Sequence, residues 1–86
     1  MKESTKKGLD RYVENRVPVG DFLRAVLENN LVLSFGYADD DNRRDLQEIV
    51  RYVYNEFPAD CWGSCEKVNN WLNQPQKQKE AKWDFK

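Results

Sequence analysis

The chain has 86 residues, 40% hydrophobic and 34% charged, with no histidine and a formal net charge of -1. That length suits one domain rather than two, and the composition is too apolar for wholesale disorder. The near-neutral total hides a pattern: residues 1–16 carry +2, residues 17–74 carry -5 and residues 75–86 carry +2. An acidic body lacks the clustered positive surface that a phosphate-backbone binder needs, so nucleic acid is not the expected partner. The lack of histidine removes the commonest general acid/base, the Ser–His and Cys–His nucleophile pairs and the commonest zinc ligand.

The first helical segment is expected over about Thr5–Asn15, with Ser4 or Thr5 as its cap. Leu9, Tyr12, Val13 and Val17 recur at helical spacing, and Pro18 stops the run by forcing Val17 out of the α region. A second segment begins near Gly20-Asp21 and buries Phe22, Leu23, Val26, Leu27 and Leu31, with Arg24 and Glu28 paired at i, i+4 on the other side. Asn29-Asn30 suits a helix end, since asparagine tolerates left-handed backbone. Leu31–Phe35 fits either a further helical turn or a short strand; a lone strand has no partner here, so helix or turn is favoured.

The third segment has the clearest pattern. Asp39 or Asp40 caps it, and Leu46, Ile49, Val50, Val53, Tyr54 and Phe57 form one apolar stripe. Glu48 is spaced to pair with Arg44 and Arg51, and Pro58 ends the helix. After a turn over residues 59–63, Ser64 caps a short fourth helix containing Val68, Trp71 and Leu72. Residues 76–86 are rich in Gln and Lys and show no stripe. They are expected to form a flexible polar tail whose apolar side chains of size are Trp83 and Phe85. The fold class that follows is all-α: a small bundle of about four helices over residues 1–75, followed by the tail.

No apolar run approaches the ~20 residues of a membrane span, and no apolar core follows the basic N-terminus as in a signal peptide. The expected setting is therefore the cytoplasm, with Cys61 and Cys65 as reduced thiols. Their C-x-x-x-C spacing supplies two of the four ligands a structural zinc site needs, and no cofactor or metal is expected. Asp39-Asp40-Asp41-Asn42 fails as a calcium loop. Counted from Asp39, position six is Arg44 and position twelve is Val50, where glycine and glutamate are required.

Two clusters remain as binding candidates. Trp62 lies in a turn off any helical stripe, where an indole is either a partner anchor or a core plug; Tyr37 and Tyr52 raise the same question. Arg43 and Arg44 at a helix start form a candidate anion corner, or simply neutralise the aspartates beside them. No catalytic constellation can be assembled, so the chain is not expected to be an enzyme. The leading expectation is a protein–protein interaction module, with a host protein as partner. The rival is a homo-oligomeric binder of an anionic small ligand such as a nucleotide, using Arg43 and Arg44 with aromatic stacking.

A longer string carries a resemblance. It comprises Pro18-Val19-Gly20-Asp21-Phe22-Leu23-Arg24-Ala25-Val26-Leu27-Glu28-Asn29-Asn30-Leu31, then Ala38-Asp39, Asn42-Arg43, Leu46, Ile49-Val50, Tyr52, Tyr54-Asn55-Glu56, Pro58 and Cys61-Trp62-Gly63-Ser64. Glu66-Lys67-Val68 and Trp71-Leu72 complete it. This combination, spanning about residues 9–72, resembles a family of short proteins encoded in phages and prophages of enteric bacteria. The resemblance implies a setting, that of a small viral accessory protein made inside a bacterial cell, and transfers no catalytic or binding residue. Tyr37 stands where the family carries an arginine-like residue after Gly36, which weakens any anion-binding role for that loop.

Overall fold

The structure is a computed structural model that describes residues 1–74. Five α-helices follow in chain order: α1 Glu3–Asn15, α2 Asp21–Leu27, α3 Leu31–Tyr37, α4 Asp40–Glu56 and α5 Cys65–Asn73. A single 3₁₀ turn, Ala59–Cys61, joins α4 to α5, and the described residues contain no strand. The all-α expectation therefore holds. The tail, with Trp83 and Phe85, lies outside the described residues.

Each boundary has a local cause. α1 starts at Glu3, before the expected hydroxyl caps, and has no side-chain cap. It ends where Arg16 turns left-handed (φ 57°) and its N–H reaches the Tyr12 carbonyl at 3.1 Å. Asp21 sits in the first turn of α2 behind Gly20, as an anion favoured by the free amides there. α2 closes on Asn29 (φ 62°), with Asn30 N–H bonded to the Ala25 carbonyl and Asn29 N–H to the Val26 carbonyl, a Schellman end. Asn30 then restarts the chain, its side chain accepting from Leu33 N–H at 3.0 Å. The ambiguous stretch is thus a separate fifth helix, because one asparagine ends α2 and the next caps α3. Asp39 and Ser64 cap α4 and α5, accepting from Asn42 N–H at 2.7 Å and Lys67 N–H at 3.1 Å.

The core gathers Leu9 and Tyr12 of α1, Phe22, Val26 and Leu27 of α2, Leu46, Ile49 and Val53 of α4, Phe57 and Cys61 beyond it, and Val68 and Trp71 of α5. The polar groups of Tyr12 and Trp71 inside it are satisfied. The Tyr12 hydroxyl donates to the Cys61 carbonyl at 2.6 Å, and the Trp71 indole N–H donates to the Tyr12 carbonyl at 2.9 Å. These bonds bind α1, the 3₁₀ turn and α5 into one unit at no desolvation loss. Burial pushes the Tyr12 phenol well above its ordinary pKa and the Cys61 thiol up to about 11. The Arg16 guanidinium stacks on Trp71 at 4.1 Å and donates to the Gln74 side chain at 3.0 Å, which closes the α1 end onto α5.

Spacing misplaced several apolar residues. Leu31, Val50, Tyr54 and Val17 belong to the predicted stripes, yet all four are exposed. Val50 and Tyr54 sit on an α4 flank that no helix covers among the described residues. Leu31 sits past the break at Asn29, where the α2 period no longer applies. Arg24 and Glu28 pair as expected at 2.7 Å. Glu48 does not pair with Arg44 or Arg51; it takes the Met1 ammonium, which brings the start of α1 to α4.

Candidate interaction face

α3 packs back against α2, with Ser34 and the residue after the helix, Ala38, buried. Ser34 resolves its hydroxyl locally, donating to the Asn30 carbonyl at 2.7 Å. Between α3 and α4 a groove of about 130 Å3 stays open. Buried Val26, Leu46 and Val53 form its floor, Leu31 and Val50 its two rims, and Trp62 one wall, with Asn29 and Asn30 among its lining. None of its lining side chains carries a charge.

Trp62 is placed by the turn that carries it. Pro58 ends α4, and Gly63 adopts φ 119°, a conformation costly for any residue with a Cβ. The Gly63 N–H then donates to the Leu27 carbonyl at 2.7 Å, tying the turn to the last residue of α2. Trp62 is left extended between these two anchors, half-buried, with its ring edge-on to Tyr54 at 6.1 Å and 78°. The indole both packs on the core and lines the groove.

Beyond the groove the apolar surface continues. Val32 is 80% exposed, Tyr54 71% and Leu31 67%, and Leu33, Phe35, Tyr37 and Val50 are also open. These side chains wrap around the outer faces of α3 and reach the flank of α4, a concentration of exposed apolar residues unusual for a surface.

The other candidates lie apart from Trp62. Tyr37 is exposed on the opposite flank of α3, beside Leu33 and the Arg24 and Glu28 side chains of α2. Tyr52 faces α1: its hydroxyl donates to the Asp10 carboxylate at 2.5 Å, its ring meets Phe57 edge-on at 5.6 Å, and Lys6 lies 5.5 Å above it. That bond raises the Tyr52 pKa and lowers that of Asp10. The three aromatics thus occupy three different sides, and only Trp62 belongs to the groove.

Arg43 and Arg44 bond to Asp40 and Asp41 one turn earlier on α4. Lys2 adds contacts to Asp39 and Asp41 at 3.9 and 3.5 Å. The arginines are therefore engaged by local carboxylates, and neither lines the groove. Cys61 is buried with its thiol toward the Pro58 carbonyl, whereas Cys65 is exposed. Among the described residues no three or more His, Cys, Asp or Glu side chains converge as a metal site would require, and no helix is long and apolar enough to cross a membrane.

Sequence reasoning missed Leu31, Val32, Phe35, Val50 and Tyr54 as surface residues. The signal was present in Leu31-Val32-Leu33-Ser34-Phe35-Gly36-Tyr37-Ala38, an almost wholly apolar run. A short helix of that composition at the edge of a domain cannot hide all sides at once. Comparison with protein-family models, with curated proteins and with solved structures returns no match.

Proposed function

We propose that this protein acts by protein–protein contact, taking an apolar segment of a partner into the groove between α3 and α4 against Trp62. The observation that carries this reading is the groove itself. It is uncharged, floored by core residues and rimmed by exposed Leu31 and Val50, with an indole fixed at one wall. Aromatic anchors in partly desolvated settings dominate interface energetics, and an amphipathic helix laid into such a groove is a recurrent mode of recognition.

The partner chemistry follows from the lining. Apolar side chains at i, i+3 or i+4 spacing would fill the groove, and basic residues flanking them would suit the acidic body of residues 17–74. The resemblance of residues 9–72 to short phage and prophage proteins supports a bacterial host protein as that partner and the host cytoplasm as the place. Occupying a surface requires no catalytic group, which accords with a chain that has no histidine.

Capture from a bacterial lysate tests the reading when run with two variants. Val50→Asp places a charge on an exposed rim and leaves the core intact; Trp62→Ala removes the anchor. A specific partner should be retained by the wild type and lost by both, and its measured Kd should rise tenfold or more for Val50→Asp. Equal retention by wild type and Val50→Asp would exclude the groove.

A further inference from the structure

We infer that the protein self-associates through the outward crest of α3, with two copies crossing between Val32 and Gly36 about a two-fold axis. This inference concerns the side of α3 away from the core and does not rest on the groove reading. At roughly 100° per residue, Val32 and Gly36 lie opposite the buried Ser34. Leu31 and Phe35 flank that crest on one side, Leu33 and Tyr37 on the other, and all are exposed.

Gly36 is the most telling residue. It lies within α3, where glycine is the poorest helix former short of proline. Nothing among the described residues requires it, because a Cβ there would meet none of their atoms within 4 Å. A missing side chain on an outward helix face suits close approach by another backbone. Val32 stands one turn earlier as a knob 80% exposed. An antiparallel crossing of two α3 helices places each Val32 over the partner's Gly36, the reciprocal contact that a two-fold interface demands.

The absence of charge on the crest lets a second copy cover it. Leu31–Ala38 contains no charged residue, while the rest of the 17–74 body carries ten acidic against five basic side chains. This crest can meet itself without setting carboxylate against carboxylate. The five large apolar residues of α3 expose on the order of 500 Å2 per copy, so the contact buries at most about 1,000 Å2, the low end for a specific interface. Association is accordingly weak and concentration-dependent.

Sedimentation equilibrium of the full chain over a wide concentration range tests this. The apparent mass should rise from 10.2 kDa toward twice that value. Val32→Asp should stay at 10.2 kDa throughout with an unchanged circular dichroism spectrum. Gly36→Ala should melt higher in dilute solution yet associate at least tenfold more weakly, a split that a merely structural glycine would not produce. Trp83→Ser/Phe85→Ser should leave association intact. A constant 10.2 kDa at every concentration, or a dimer indifferent to Val32→Asp, would overturn the inference. So would a dimer abolished by the Trp83/Phe85 substitutions, which would make the C-terminal segment the occupant. Monomeric protein that still loses its partner on Val50→Asp would sink the dimer and leave the groove reading standing.

Discussion

Two regions of this small molecule treat the same residue types in opposite ways. Where α1, α5 and the 3₁₀ turn meet, the aromatic side chains are buried and their polar atoms are paired: Tyr12 bonds the Cys61 carbonyl, and Trp71 bonds the Tyr12 carbonyl. Along α3 and the adjoining flank of α4, leucine, valine, phenylalanine and tyrosine stand open to solvent. Both regions are apolar in sequence. They differ in whether a second helix lies across the stripe. α5 closes over the first region, whereas α3 is the outermost layer and has nothing above it among the described residues. An apolar residue therefore stabilises the fold in the first region and stays available for contact in the second.

The sharpest way to break this contrast is to make one substitution in both places. Leu27 is fully enclosed, and Leu31, four residues later, is 67% exposed. Leu27→Ala should cost about 2–5 kcal/mol through lost burial and a residual cavity. That corresponds to a fall in melting temperature of roughly 10 °C or more in a domain of this size. Leu31→Ala should stay within ~0.5 kcal/mol of wild type, as surface substitutions do. Thermal melts followed by circular dichroism at low protein concentration decide it. Comparable losses at both positions would mean that α3 is covered.

A smaller effect tests how the enclosed region handles its polar atoms. Tyr12→Phe keeps the ring and deletes the hydroxyl that donates to the Cys61 carbonyl. The carbonyl is left buried and short of its partner, so the loss should be about 1–2 kcal/mol. An unchanged melting temperature would show that water reaches that carbonyl and that the region is wetter than its burial implies.

The same contrast explains what could be read from the sequence. Helix type, the caps at Asp39 and Ser64, the left-handed end near Asn29 and the Arg24–Glu28 pair were legible, since each depends on neighbours within four residues. Which face of each helix is covered was not legible. Val50 and Tyr54 fit the α4 stripe as well as Ile49 and Val53 do, and only the position of α3, turned by Asn29 and Asn30, decides that they remain open. Trp62 stood out because a turn gives no periodic reason for an indole, and it lines the groove. Tyr52 looked equally unplaced, since its partner Asp10 lies 42 residues away in sequence. Long-range pairing of this kind leaves no local spacing to read.

The Tyr52–Asp10 pair gives the smallest expected effect and the clearest pH signature. The bond from Tyr52 holds the Asp10 carboxyl below its ordinary 3.8, with Lys6 assisting at 3.2 Å. A depressed carboxyl contributes stability above its unfolded pKa, here about pH 4, and loses that contribution as pH falls through the lower folded value. Tyr52→Phe should therefore lower stability at pH 7 by less than about 1 kcal/mol, because the site is partly open and screened by solvent. The deficit should shrink below pH 4, as acid protonates Asp10 in the wild type and leaves only a neutral hydrogen bond to lose. Paired thermal melts of wild type and Tyr52→Phe from pH 7 to pH 2.5 measure the gap directly. A gap that stays constant, or widens in acid, would mean that Tyr52 is held by its packing on Phe57 and not by the carboxylate, placing it with the enclosed aromatics after all.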